Sequence, residues 1–295
     1  MTNYSPKILV TGGQGQIASA LANHPLAENF TLKVCGREEL DITQPATINE
    51  VIADFLPDII VNTAAYTAVD KAEEEAGLAD RTNHMGAGHI ALACQKNQIK
   101  LLHLSTDYVF DGNKDGKYLE DDTADPLNIY GKSKWEGEEA IRHACPNHII
   151  LRVSGVFSEY GNNFLKTMLK LARERSTLRV VSDQITCPTY AGDIAKAIFT
   201  ICQQPSEQGT FHYCSAETVS WFNFAEVIID TARHHETLTV HDISATTAAE
   251  YPTAAKRPRI SVLDCHKIKR LYDIDQPSWR DAIKHIVPKL TREKI

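Results

Sequence analysis

The sequence lacks the features that would tie the protein to a membrane or to nucleic acid. No apolar run is long enough to cross a bilayer, and the first ten residues, MTNYSPKILV, contain no charged-then-apolar leader. Lys and Arg number 31 against 38 Asp and Glu, and they are scattered along the chain without forming a basic stripe. We therefore expect a cytoplasmic protein that binds neither membranes nor nucleic acid.

Cysteine and histidine also lack the spacings that mark disulfide frameworks and metal sites. The seven cysteines are odd in number and contain no C-x-x-C pair, so we expect reduced thiols that serve in packing. Of the twelve histidines only His234 and His235 are adjacent, and neither has a second ligand type at helical spacing. We predict no metal site.

What the sequence does have is a regular alternation of short apolar runs with segments of helical period. This alternation is typical of βαβ units and of a parallel sheet. Strands are predicted at Lys7–Thr11, Thr31–Cys35, Ile59–Asn62, Leu101–Ser105 and Ile149–Arg152. Helices are predicted at Ile17–Ala22, Ala46–Phe55, Asn83–Gln95 and Lys132–Ala144.

The alternation weakens beyond about Ser154, where Pro and Gly interrupt the chain. We predict an α/β protein in which residues 1–154 form a dinucleotide-binding domain with a doubly wound parallel sheet. Residues 155–295 are expected to form mainly a smaller α+β substrate-binding region on the C-terminal side. A predicted helix over 191–202 has apolar spacing that suits packing back on the first domain.

A glycine-rich segment follows the first predicted strand and opens the first helix. It reads G-x-x-G-x-x-A at Gly12, Gly15 and Ala18, a variant of the Rossmann dinucleotide fingerprint. Gly12 permits a tight turn, Gly15 lets backbone N–H groups approach a pyrophosphate, and Ala18 lets the helix lie close to the strand. The segment predicts a dinucleotide cofactor.

The end of the second predicted strand bears on which dinucleotide is bound. NAD-binding proteins usually carry an acidic residue there, whereas this chain carries Arg37, whose planar guanidinium suits a 2′-phosphate. We favour NADP and leave NAD open. The competing interpretation is that Arg37 is a solvated loop residue.

Tyr130 and Lys134 stand four residues apart at the start of a predicted helix, so both side chains can point into one cleft. Ketone reduction needs a proton donor, and a free phenol has a pKa of ~10. An ammonium ~4 Å away contributes about 4 kcal/mol at an effective dielectric of ~20, so we expect Lys134 to lower the pKa of Tyr130. Thr106 ends the fourth strand and is expected to orient the substrate oxygen.

Together these segments resemble the extended short-chain dehydrogenase/reductases and, among them, the dTDP-4-dehydrorhamnose reductases. The resemblance covers nearly the whole chain. It is carried by residues 12–18, 62–73, 105–110, 126–134, 161–164, 183–184, 188–189 and 257–258. It implies NADPH-dependent reduction of a keto group on a nucleotide-linked deoxysugar that is used for surface polysaccharide.

The resemblance also implies roles for particular residues. Tyr130 would be the catalytic acid, Lys134 its activator and a ligand of the cofactor ribose, and Thr106 the hydroxyl that orients the carbonyl. The cofactor would be lined by Gly12, Gly15, Gln16, Ile17, Arg37, Asp41, Ile42, Ala64, Ala65, Tyr66 and Thr67, besides Tyr130 and Lys134. The sugar nucleotide would meet Thr106, Asp107, Tyr130, Gly155, Asn163 and Arg257.

Two positions depart from the family pattern. Gly155 stands where the family commonly has a tryptophan against the sugar, which removes a large apolar contact and leaves the identity of the sugar open. Ala20 stands where some members have an acidic magnesium ligand, so we expect no such metal.

Two other functions remain open at this stage. A nucleotide-sugar epimerase or dehydratase uses the same loop and Tyr/Lys pair but returns the hydride to the substrate. A non-catalytic NADP-binding subunit, which resembles the regulatory subunit of methionine adenosyltransferase, would act through a partner surface. Either a monomer or a homodimer is compatible with the sequence.

Overall fold

A computed structural model describes residues 5–204 and 207–292. The strands are β1 Lys7–Thr11, β2 Thr31–Cys35, β3 Ile59–Asn62, β4 Lys100–Thr106, β5 His148–Val153, β6 Val156–Phe157, β7 Thr177–Val181, β8 Ile185–Thr186, β9 Thr189–Tyr190, β10 Gly209–Tyr213, β11 Val219–Ser220 and β12 Asp242–Thr246. The α-helices are α1 Gln16–Asn23, α2 Pro45–Phe55, α3 Val69–Ala72, α4 Ala76–Asp80, α5 Ala87–Asn97, α6 Ile129–Ala144, α7 Phe164–Glu174, α8 Ala191–Gln203, α9 Trp221–Arg233, α10 His266–Tyr272 and α11 Trp279–Arg292. A π-helical turn spans Arg81–Gly86, and 3₁₀ turns span Pro25–Asn29 and Asp107–Val109.

Six parallel strands form the central sheet in the order β10-β5-β4-β3-β1-β2. The apolar side chains of β1, β3, β4 and β5 are buried on both faces, which is why these strands appear in the sequence as nearly continuous apolar runs. In the register, Thr11 of β1 pairs with Asn62 of β3, and Asn62 pairs with His103 of β4. The carboxyl ends of these strands therefore lie side by side.

Helices cover both faces of the sheet, so the predicted doubly wound α/β fold is confirmed. Ile8 and Val10 of β1 point to the face where α1 and α8 pack, whereas Leu9 points to the face covered by α2, α5 and α6. This alternation follows from the two-residue period of a strand. Among the described residues, no helix is both long and apolar enough to span a membrane.

The region after residue 155 has a second, smaller core between α7, α9 and α11. Phe224 and Trp279 are wholly buried there with their rings 5.1 Å apart. Phe222 is partly buried against this core. The short strand pair β7 and β12 runs along the edge of this core.

Most predicted elements agree with the observed ones, and the differences have local causes. The bounds of β1, β2 and β3 match the prediction residue for residue. The helix predicted at Asn83–Gln95 begins instead as the π-helical turn, followed by α5. Within that turn the Asn83 side chain bonds the backbone N–H and C=O of Tyr66, which ties the turn to the loop after β3. Strand β10 was not predicted.

Candidate active site

A large cleft opens at the carboxyl ends of the sheet strands, where ligands bind in open α/β sheets. Its volume is about 1750 Å³. A single drug-sized ligand typically occupies ~300–1,000 Å³, so the cleft has room for a dinucleotide and a second substrate together. It is lined on one side by the loops after β1, β2 and β3, and on the other by α7, β7 and residues 248–258.

The loop between β1 and α1 is shaped for a close approach of phosphate. Gly12 has a φ of +73°, and a Cβ there would lie 2.8 Å from the backbone of Ala64. The helix starts at Gln16 after Gly15, and within the described part of the chain no side chain caps its first N–H groups. These free donors and the positive end of the helix dipole suit a pyrophosphate. The residues present therefore fit a dinucleotide.

The cofactor-side residues predicted from the sequence come together along this cleft. They are Gly12, Gly15, Gln16, Ile17, Arg37, Asp41, Ile42, Ala64, Ala65, Tyr66 and Thr67. Arg37 is 71% exposed and its Nε lies 3.1 Å from Oδ2 of Asp41. A small neighbouring cavity of about 260 Å³ is also lined by Arg81 and His89. Arg37 and Arg81 thus place two guanidinium groups at this end of the cleft, which suits a phosphate.

Thr106 and Asp107, which are buried, and Tyr130, which is half-buried, form a polar cluster that lines the cleft. The Thr106 hydroxyl donates to Oδ1 of Asp107 at 3.1 Å, and the Ser154 hydroxyl donates to Oδ2 at 2.8 Å. Burial raises the pKa of Asp107 to about 6, although these hydrogen bonds oppose the rise. Thr106 precedes a 3₁₀ turn and caps it by accepting from the Tyr108 N–H.

Tyr130 and Lys134 lie one turn apart near the start of α6, and both line the cleft. Asn128 caps this helix by accepting from the N–H of Gly131 at 2.8 Å. The Lys134 side chain is wholly buried, and its Nζ donates to the Leu104 carbonyl at 2.6 Å and lies 3.1 Å from Nε2 of His103. Burial lowers the pKa of Lys134 to about 8.

The prediction that Lys134 lowers the pKa of Tyr130 is wrong for this structure. Burial raises the pKa of Tyr130 to about 12, and the negative charge of Asp107 acts in the same direction. Only the neighbouring Thr106 hydroxyl opposes the rise. The reason is that desolvation of the phenolate is the largest effect, while Nζ of Lys134 is hydrogen-bonded to His103 and to the Leu104 carbonyl.

The predicted substrate residues differ in where they lie. Gly155 lines the cleft with a φ of +55°. Arg257 also lines it, but its guanidinium bonds both carboxylate oxygens of Asp70, at 3.0 and 2.7 Å. This ion pair connects residues 251–258 to α3.

Asn163 is not among the residues that line the cleft, although its neighbours Asn162 and Phe164 are. Its side-chain carbonyl caps α7 by accepting from the N–H of Lys166. Its amino group donates to Oε1 of Gln16 at 2.9 Å. Its side chain therefore supports a cofactor-side residue, because its polar atoms are used for capping and for Gln16.

Several cleft residues have no role in the sequence-based prediction. They are Asp70, Tyr108, Arg175, Arg179, Trp221, Tyr251 and Lys256. Tyr108 packs edge-on against Tyr130, with ring centroids 5.7 Å apart. Over residues 177–180 polar and apolar residues alternate, a pattern that could have predicted strand β7 with Arg179 on its exposed side. No local pattern marks the other residues.

Potential metal ligands and thiols lie away from this cleft centre. Ligand atoms of Asp80, His84 and Glu136 come within 4.8 Å of one another near the surface, a grouping that the sequence analysis missed. Nδ1 of His84 bonds Asp80 at 2.9 Å, so this pair is a partly exposed ion pair when the ring is protonated. All seven cysteines lie within the described ranges, and each is buried as a free thiol.

Comparison with known proteins extends over nearly the whole chain. The family model described as "RmlD substrate binding domain" matches residues 6–292. A dTDP-4-dehydrorhamnose reductase of Aggregatibacter actinomycetemcomitans is 44% identical, over 95% of this chain and 98% of its own length. One from Sinorhizobium fredii is 43% identical over 97% of this chain and 98% of its own.

A solved structure has the same fold. The crystal structure of dTDP-4-dehydrorhamnose reductase from Bacillus anthracis in complex with NADP has a TM-score of 0.90 and 34% sequence identity. The match covers 97% of this chain and 100% of that one.

Proposed function

The chain belongs to the dTDP-4-dehydrorhamnose reductase family, and from this premise we propose that it reduces the keto group of dTDP-4-dehydrorhamnose, or of a close analogue, with NADPH. The product would be dTDP-rhamnose or its analogue, an activated deoxysugar for surface polysaccharide. The observation that carries the proposal is the cleft that joins the glycine loop to Thr106, Tyr130 and Lys134.

Reduction of a carbonyl requires a hydride on carbon and a proton on oxygen. When bound, NADPH supplies the hydride. We propose that Tyr130 supplies the proton, because its pKa of about 12 keeps the phenol protonated at neutral pH. Thr106, which lies beside it, would hold the substrate oxygen through its hydroxyl.

The phenolate that forms at Tyr130 has to be stabilised as the proton leaves. Lys134 is suited to this, since with a pKa of about 8 it is mostly an ammonium at neutral pH. A cation in a buried site acts strongly on a nearby charge because little water screens it. We propose that Lys134 favours the proton transfer in this way and also binds the cofactor ribose.

The remaining cleft residues suit the two molecules that would bind there, NADPH and the sugar nucleotide. We propose that Gly12, Gly15 and the start of α1 hold the pyrophosphate of NADPH, with Arg37 at the 2′-phosphate. Arg175, Arg179 and Lys256 give the opposite wall positive charge that suits the diphosphate of a sugar nucleotide. Gly155 would leave space beside the sugar.

The similarity to dTDP-4-dehydrorhamnose reductases over nearly the whole chain favours a reductase over an epimerase or dehydratase. We further propose that the enzyme acts in the cytoplasm, as a monomer or a homodimer.

The test is a panel of nucleotide-linked keto sugars assayed for NADPH oxidation. We expect one NADPH consumed per sugar reduced, with dTDP-4-dehydrorhamnose among the substrates. Sugar conversion without net NADPH consumption would instead indicate an epimerase or dehydratase. No turnover of any keto sugar, together with co-purification of a synthetase, would indicate a regulatory subunit.

A further inference from the structure

A row of polar side chains crosses the apolar sheet directly beneath the active site. Thr11, Asn62 and His103 occupy paired positions on the adjacent strands β1, β3 and β4. All three are at most 1% exposed. Lys134 reaches the end of this row from α6, so four polar side chains lie in line. Buried polar groups are costly unless every one is paired, so such a row calls for an explanation.

The contacts within the row are short and continuous. Nζ of Lys134 lies 3.1 Å from Nε2 of His103. Nδ1 of the same ring lies 2.9 Å from Nδ2 of Asn62. The Thr11 hydroxyl donates to Oδ1 of Asn62 at 2.6 Å, and the N–H of Ala64 donates to the same oxygen at 3.3 Å. Each contact passes from one element to the next.

The direction of these bonds fixes the proton on the His103 ring. Because Oδ1 of Asn62 accepts from Thr11 and Ala64, its amino group faces Nδ1 of His103 and donates to it. The ring proton of the neutral imidazole then lies on Nε2, facing Lys134. Two donors would oppose each other there if Lys134 were an ammonium. This arrangement therefore suits the neutral amine of Lys134.

A half-turn of the Asn62 amide reverses the row. The amide oxygen then accepts from Nδ1–H of His103, and Nε2 becomes an acceptor for the ammonium of Lys134. The amino group of Asn62 faces the Thr11 hydroxyl, which can accept because its own hydrogen rotates freely. Both charge states of Lys134 thus keep a hydrogen bond to His103.

The charged and titratable groups around Lys134 come from every element near it. The titratable groups on α6 itself are Tyr130 and Glu138. The sheet and the loop after β4 contribute His103, Asp107, His148 and Arg152. Glu138 is occupied by Arg152 and Arg142, and His148 bonds the Cys145 carbonyl. His103 is the titratable side chain in hydrogen-bond contact with Nζ.

We propose that His103 is a positioning residue for Lys134, and that the turn of the Asn62 amide couples the tautomer of His103 to the presence or absence of a proton on Lys134. The row lets Lys134 keep its hydrogen bond to His103 in both of its charge states. This inference rests on the proposed function, in which the charge of Lys134 assists proton transfer from Tyr130.

The kinetic test compares His103→Leu with His103→Gln. Leu removes the acceptor for the ammonium, so the pKa of Lys134 falls and the alkaline limb of kcat moves down by about one pH unit. The Gln amide can both accept and donate near the position of Nε2, so it should restore most of the shift. His212→Gln is the matched control, because His212 is also wholly buried on a sheet strand but bonds the Tyr118 carbonyl. Its alkaline limb should stay at the wild-type position.

A second measurement needs no turnover and no variant that has to fold well. In ¹⁵N-histidine-labelled wild-type protein, the His103 signals are followed through the titration of Lys134, near pH 8. We expect Nε2 to be unprotonated below this pH and protonated above it. The same tautomer on both sides would overturn the proposal, as would equal pH profiles for wild type and His103→Leu. If the wild type reduces no keto sugar, the proposed function fails while the tautomer result still decides this inference.

Discussion

Replacing Arg37 by Ala should shift the choice of cofactor from NADPH toward NADH. Arg37 lies near the start of the loop after β2 and lines the cleft, and its Nε lies 3.1 Å from Oδ2 of Asp41. A charge-assisted bond to a phosphate contributes about 1.5–3 kcal/mol, but the side chain is 71% exposed and solvent screens it. We therefore expect a loss of about 1–2 kcal/mol, which is a factor of about 5–30 in relative kcat/KM.

The assay measures kcat/KM for NADPH and for NADH with a saturating keto sugar, at low and at moderate ionic strength. In Arg37→Ala, kcat/KM for NADPH should fall while kcat/KM for NADH stays nearly constant, because NADH has no 2′-phosphate that Arg37 could bind. The effect should shrink as salt is added. Arg233→Ala is the control, since Arg233 forms an exposed ion pair with Asp230 on α9. An NADPH/NADH ratio that is the same in the Arg37 variant and the wild type would refute the reasoning.

Two further predictions concern the packing around the active site. Burial raises the pKa of Asp107 from 3.8 to about 6, so the ionised form opposes folding above that pH. Between about pH 4 and pH 7, the unfolding free energy of the wild type should therefore fall by at most about 3 kcal/mol more than that of Asp107→Asn. Urea unfolding measures both proteins over this range, and the same pH dependence in both would contradict the prediction. In Gly131→Ala the new Cβ would lie 2.1 Å from the Tyr108 carbonyl oxygen, which must displace the start of α6. We expect kcat to fall at least about tenfold, whereas Gly77→Ala, with open space around it, should keep full activity.

The sheet could be predicted because local patterns determine its strands. The runs at β1 and β3 are apolar and end at Thr11 and Asn62, so their bounds follow from the sequence. Parallel pairing then brings the polar ends of these strands to one edge, where the cleft lies. Strand β10 pairs with β5, but several strands and helices lie between the two in the chain. The alternation of strand and helix that marks the other sheet strands therefore does not mark β10.

The electrostatics of the site could not be predicted from spacing. A Y-x-x-x-K pattern places two side chains on one helix face, but it does not reveal that burial raises the pKa of Tyr130 or that His103 binds Lys134. The Asp70–Arg257 pair joins residues 187 positions apart and has no local signal. Asn163 is different, because an Asn directly before an amphipathic helix is a capping signal that the sequence does contain.

The role of Tyr130 as the proton donor is tested by single-turnover reduction of dTDP-4-dehydrorhamnose by the NADPH-loaded enzyme. The rate for Tyr130→Phe is compared with that of the wild type. Phe keeps the ring that packs against Tyr108 and removes only the hydroxyl. We expect Tyr130→Phe to bind NADPH and the sugar nucleotide still, while its rate of hydride transfer falls about 10²–10⁴-fold. A variant that reduces the sugar at the wild-type rate would contradict it.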